Sequence, residues 1–116
     1  MKRIIILILA AFIVFLGIFL LGDSETQLVD VRTVEEYSAG HADGAINVPL
    51  ADIQSGDFSK IKKDAYIKLY CRSGNRAEQA KVLLEKKGYN QVVNIGGIDN
   101  WQDKGGKVCK STEPTC

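Results

Sequence analysis

The sequence predicts a small α/β domain, a mainly parallel sheet flanked by helices, preceded by an N-terminal hydrophobic helix. Three observations carry that reading. From Gln27 onward, short apolar runs of strand length alternate with amphipathic, helix-like runs. The unbroken apolar stretch Ile4–Leu21 stands apart from them. A lone cysteine, Cys71, falls where a strand becomes a helix, the end of a parallel sheet at which sites form.

Taken in order, Met1-Lys2-Arg3 is a basic start and residues 4–21 are apolar throughout, with Gly17 as a soft spot. At ~1.5 Å per residue they span ~27 Å, just short of a typical hydrocarbon core. Residues 1–22 are thus a signal-anchor or a signal peptide. Their length favours an uncleaved anchor, and the exit Leu21-Gly22-Asp23-Ser24 lacks an A-x-A cleavage pattern. Either way the preceding positive charges send the rest of the chain out of the cytoplasm, to the periplasm or the extracytoplasmic face of the inner membrane.

Residues 23–26 read as a polar linker. Gln27–Arg32 is a first strand. Thr33 and Glu36 form a capping-box pair that starts a helix, with Val34 and Tyr37 on its inner face and Gly40 as its stop. His41–Gly44 is a turn, and Ala45–Val48 a short strand ended by Pro49. Leu50, Ile53 and Phe58 suggest a short irregular helix. Ala65–Tyr70 is the third strand. After the Cys71 loop, Ala77, Ala80, Leu83 and Leu84 share one helix face, and Gly88 suits the C′ position. Gln91–Ile95 is the fourth strand, Gly96-Gly97 a turn, and Ile98–Lys104 a last helix carrying Trp101. Gly105-Gly106 ends the compact part, leaving 107–116 as a tail.

Charge excludes some partners. Lys and Arg total 15 against 14 Asp and Glu. Without Lys2 and Arg3 the balance is 13 to 14, which leaves no footprint for nucleic acid and no polybasic membrane patch. In an oxidising compartment Cys109 and Cys116, close together around Pro114, are predicted to pair and leave Cys71 free. The plain alternative is two unpaired thiols on a frayed tail.

The stretch Cys71-Arg72-Ser73-Gly74-Asn75-Arg76 has the parts a nucleophile over a helix N-terminus needs. Free N–H groups and the dipole favour a thiolate. Gly74 lets the backbone curl, and two arginines supply forked donors for an oxyanion.

This stretch resembles the active-site loop of the rhodanese-like sulfurtransferases. Three more segments resemble that family in the same order: Leu28-Val29-Asp30-Val31-Arg32 with Glu35-Glu36-Tyr37, then His41-Ala42-Asp43-Gly44-Ala45-Ile46-Asn47-Val48-Pro49, then Gly96-Gly97-Ile98-Asp99-Asn100-Trp101. Ala42 stands where the family has Ile. The resemblance covers residues 27–106. It implies transfer of a sulfane sulfur from thiosulfate or a similar small donor to a thiol or cyanide acceptor, through a persulfide on Cys71. It also implies Arg72, Ser73, Gly74, Asn75 and Arg76 as the donor-binding cradle, with no metal or organic cofactor.

Two rivals accompany it. One is a carrier module that hands sulfur to a protein partner without small-molecule turnover. The other is a phosphate or arsenate enzyme. Those enzymes have five residues between cysteine and arginine where this chain has four, and tyrosine-phosphatase-type loops have His before the cysteine where this chain has Tyr70. Asp30 and Arg32 are read as a structural hydrogen-bond network near the site, His41 as a turn residue that holds backbone, and Tyr37 and Trp101 as core.

Overall fold

A computed structural model describes residues 1–20 and 24–112. The elements in chain order are α1 (Lys2–Leu20), β1 (Thr26–Asp30), α2 (Val34–Ala39), β2 (His41–Ala42), β3 (Ile46–Asn47), α3 (Leu50–Gln54), β4 (Tyr66–Cys71), α4 (Asn75–Lys86), β5 (Val92–Gly97), α5 (Ile98–Asp103) and β6 (Val108–Cys109). The main sheet has the order β3-β1-β4-β5, and every pairing in it is parallel. The α/β expectation holds.

One face of the sheet carries the larger core. Val29, Val31, Ile67 and Leu69 meet Ile53 and the α4 residues Ala77, Ala80 and Leu84. Those α4 positions are the ones the helical spacing predicts. Complete burial of a side chain such as Leu84 contributes about 2 kcal/mol. On the other face Tyr70, Ala42 and Ala45 pack with the partly buried Tyr37, Ile98 and Trp101. Trp101 is therefore a flank of the smaller core rather than its centre, and its Nε1–H donates to the Lys107 carbonyl at 2.8 Å.

Several local expectations need correction. Thr33 does cap α2, accepting from Glu36 N at 3.2 Å while the Glu36 carboxylate reaches back to Thr33 N at 3.4 Å. Val34, however, is 58 % exposed, because so short a helix turns only Tyr37 inward. His41 and Ala42 are not turn but strand, paired antiparallel with β6 as His41↔Cys109 and Ala42↔Val108. His41 is buried, its Nδ1–H donates to the Tyr37 carbonyl at 2.9 Å, and its ring stacks on Tyr37 with centroids 3.8 Å apart. Gly96 and Gly97, expected as a turn, complete β5 and run directly into α5. Cys109 is disulfide-bonded. Its expected partner, Cys116, lies outside the described residues.

The spanning helix expected over residues 4–21 is not met. Among the described residues no helix is long and apolar enough to cross a membrane. The N-terminal helix itself is present as α1, nineteen residues from Lys2 to Leu20.

Candidate active site

Cys71 ends β4, a strand with β1 on one side and β5 on the other. The chain reverses through Arg72, Ser73 and Gly74, and α4 begins at Asn75. Gly74 has φ 98°, a left-handed conformation that side-chain-bearing residues resist. That conformation lets its N–H donate to Cys71 Sγ at 3.0 Å. Of the free N–H groups expected at this helix start, one donates to sulfur among the described contacts. The residue is only 1 % exposed, whereas Arg72, Ser73 and Asn75 are exposed above it.

The loop leans on β5 and α5. In the ladder Cys71 is opposite Gly97, and a Cβ on Gly97 would lie 2.1 Å from the Arg72 carbonyl oxygen. Only glycine allows that approach. Asn94 Nδ2 donates to the Gly74 carbonyl at 2.9 Å, and Asn94 Oδ1 accepts from Gly96 N at 2.9 Å. Asn100 Oδ1 accepts from Gly97 N at 2.8 Å. Asn94, Gly97 and Asn100 are thus supports the sequence reading missed. The pair Gly96-Gly97 was visible, but as punctuation; nothing in it says that a loop twenty-five residues earlier rests there.

The two arginines part company. Arg72 is exposed, and its guanidinium has no hydrogen bond or ion pair among the described residues. Arg76 does not reach out as an unclaimed anion ligand. Its Nη1 and Nη2 donate to Glu36 Oε1 and Oε2 at 2.7 and 3.0 Å, and each side chain is 31 % exposed. Hydrogen bonding to Arg76 holds the Glu36 carboxyl down to about 2, against the opposing effect of burial. The same pairing, helped by the nearby Cys71, raises Arg76 above the ordinary guanidinium range. The Glu36 carboxylate of the α2 capping box thus also fixes the first turn of α4.

Asp30 and Arg32 form the network the sequence predicts, with a third member. Asp30 is completely buried. It accepts from Arg32 N at 2.8 Å, from Arg32 Nη2 at 2.7 Å and from the Tyr70 hydroxyl at 2.6 Å. Tyr70 in turn accepts from Ala42 N at 2.9 Å, and Arg32 sits 5.7 Å from its ring centroid. Burial first, then the Asp30 bond, pushes the Tyr70 phenol well above its ordinary range. Burial works against the charge on Arg32, but Asp30 more than offsets it. Tyr70 immediately precedes Cys71, so the network clamps the strand just behind the thiol. Asn47 Nδ2 adds bonds of 3.0 Å to the Asp30 and Arg32 carbonyls.

A family model described as the rhodanese-like domain matches residues 20–104. The chain belongs to the rhodanese-like family. Among its relatives is the thiosulfate sulfurtransferase PspE of Escherichia coli, 38 % identical over 71 residues, which are 60 % of this chain and 68 % of that protein. A sulfurtransferase of Allochromatium vinosum is 40 % identical over 87 residues, covering 73 % of this chain and 80 % of that one. Among solved structures, a rhodanese with anions from E. coli superposes with TM-score 0.64 at 33 % identity, over 74 % of this chain and 99 % of that chain. The human single-domain sulfurtransferase TSTD1 gives 0.62 at 30 % identity, over 69 % and 83 %. This rhodanese-like chain is therefore a member of a sulfurtransferase family with single-domain homologues.

Proposed function

We propose that the protein moves a sulfane sulfur from thiosulfate, or a donor like it, to a nucleophilic acceptor through a persulfide on Cys71. The single observation that carries this reading is the Cys71–Gly74 arrangement: a free thiol ending a central strand, its sulfur accepting a backbone N–H at 3.0 Å. The Cys71 thiolate attacks the outer sulfur of thiosulfate. A sulfur–sulfur bond forms to Cys71, the bond to the sulfonate sulfur breaks, and sulfite leaves with the electron pair. The acceptor, a thiolate or cyanide, then attacks the outer sulfur and Cys71 departs as thiolate. Arg72 is the donor-binding cation that its lack of partners suits, and Gly74 N–H offsets charge on sulfur before and after transfer. No step needs a metal or organic cofactor.

The Arg76–Glu36 pair favours a second reading, because it leaves one unengaged guanidinium for a dianionic donor. In that reading the domain is a carrier, loaded and unloaded by protein partners. Sulfite and thiocyanate production from thiosulfate and cyanide by the intact protein tests the first reading. Activity absent in Cys71→Ser supports it, and undiminished activity in that variant overturns it. A single sulfur bound to Cys71 without steady-state turnover selects the carrier.

We further propose that α1 serves export, so that the domain works outside the cytoplasm. Its support is α1 itself, which opens on Lys2-Arg3 and whose apolar side chains, such as Ile4, Phe12 and Phe15, are more than 60 % exposed. Such a surface requires a cover. Cell fractionation with N-terminal sequencing decides it. A mature start near Ser24 means a signal, an intact start in the membrane fraction means an anchor, and recovery from the cytoplasm overturns export.

A further inference from the structure

A cleft of about 340 Å³ lies between α5 and the second face of the sheet, walled by Ile95, Trp101 and Gly106 and ringed by Lys68, Asn100 and Lys104. None of the residues of the Cys71 loop lines it. Lys68 belongs to the opposite face from Ile67 and Leu69, which fill the main core, so the cleft and the thiol are on different sides of β4. Its volume is in the range of small-molecule sites.

Lys68 is the telling residue. It sits in the middle of a strand that has neighbours on both sides, where a parallel sheet normally buries apolar side chains. Its ladder partners are Leu28 and Val93, both apolar, and it is half-buried. No carboxylate lines the cleft, and among the described residues neither the Lys68 nor the Lys104 ammonium group has a hydrogen bond or ion pair. Removing a charge from water with nothing to answer it is unfavourable. Asn100 spends its Oδ1 on Gly97 N, which leaves its amide N–H groups to donate. Two cations and an amide donor therefore converge beside an indole face and an isoleucine, a combination that selects negative charge attached to an apolar or aromatic body.

We infer that this cleft is a binding site for a small aromatic or apolar anion, a sulfonate or carboxylate, separate from the sulfur-transfer loop. The anionic group lies between Lys68 Nζ and Lys104 Nζ, and the apolar body packs on Trp101 and Ile95. Trp101 is the chain's one tryptophan, so its indole N–H gives a single NMR resonance that reports on the cleft wall. The test titrates benzenesulfonate, and uncharged benzenesulfonamide as a control, into the 15N-labelled full chain carried in neutral detergent. Saturable movement of the Trp101 signal by the sulfonate is expected, with affinity reduced about tenfold or more in Lys68→Met and in Lys104→Gln. The sulfonamide should shift the signal only weakly. Equal binding of both probes, no movement of the signal, or undiminished affinity in both variants would overturn the site. Sulfur transfer at Cys71 should survive Lys104→Gln, an exposed position, which shows that the variant is folded.

Discussion

Replacing Glu36 with glutamine removes the charge that Arg76 answers and little else. Glutamine at that position still supports the capping box with Thr33. The carboxyl falls from its ordinary 4.5 to about 2, and at roughly 1.4 kcal/mol per factor of ten this gives an upper bound of ~3.5 kcal/mol. Both partners are 31 % exposed, so solvent screens the pair, and about 1 kcal/mol is the loss to expect. The sign of the pH dependence follows from the direction of the shift. A carboxyl lowered in the folded state stabilises fully above its unfolded value, and that contribution disappears as pH falls through the folded value. Urea unfolding of both proteins at pH 7 should therefore show wild type ahead by about 1 kcal/mol. The gap should narrow between about pH 5 and pH 2, where wild type takes up a proton at Glu36 and the variant cannot. A gap of constant size across that range, or no gap at pH 7, would refute the assignment of the pair's energy to ionised Glu36.

Other substitutions separate the parts of the site. Arg72→Ala should weaken thiosulfate binding by about 1.5–3 kcal/mol with little change in melting temperature, since a charged hydrogen bond to the donor is lost and no internal one is; initial rates against donor concentration check it. Tyr70→Phe should do the reverse: Ala42 N–H loses its acceptor and Asp30 a donor, so thermal unfolding should show about 1–3 kcal/mol of destabilisation. Gly97→Ala forces its new methyl group against the Arg72 carbonyl. Cyanide-dependent turnover should fall by a larger factor than stability predicts, and turnover equal to wild type would show that the loop does not rest on that backbone.

The parts legible in the sequence were those with short-range signatures. The α4 face shows in its helical spacing, the Thr33–Glu36 cap in a three-residue interval, and Cys71 in its place between strand and helix. Asp30 and Arg32 were readable as a pair because they are two residues apart, while Tyr70, the hydroxyl that joins them, is forty residues from Asp30. Arg76 and Glu36 are equally distant, and a guanidinium beside a nucleophile looks like a substrate ligand until its carboxylate is seen. The two-residue strands β2 and β6 have no periodicity to detect. Their pairing joins residues 41–42 to 108–109, and it is a matter of tertiary packing alone. Val34 misled because apolar character near a helix start does not determine which way the helix faces.

The depth of Cys71 sets what the protein can be harmed by. Solvent reaches about a hundredth of that residue, so a reagent must pass Arg72, Ser73 and Asn75 and fit within the turn before it meets sulfur. Adding one sulfur atom carries the reacting centre about 2 Å beyond the original one. For the proposed persulfide cycle, that depth makes the empty form a kinetic sieve that favours compact anions over bulky oxidants and alkylators. In the proposed cycle the persulfide form presents its outer sulfur to acceptors too large to reach the bare thiol. In that proposed cycle vulnerability and reactivity belong to different stages, separated by the length of one bond.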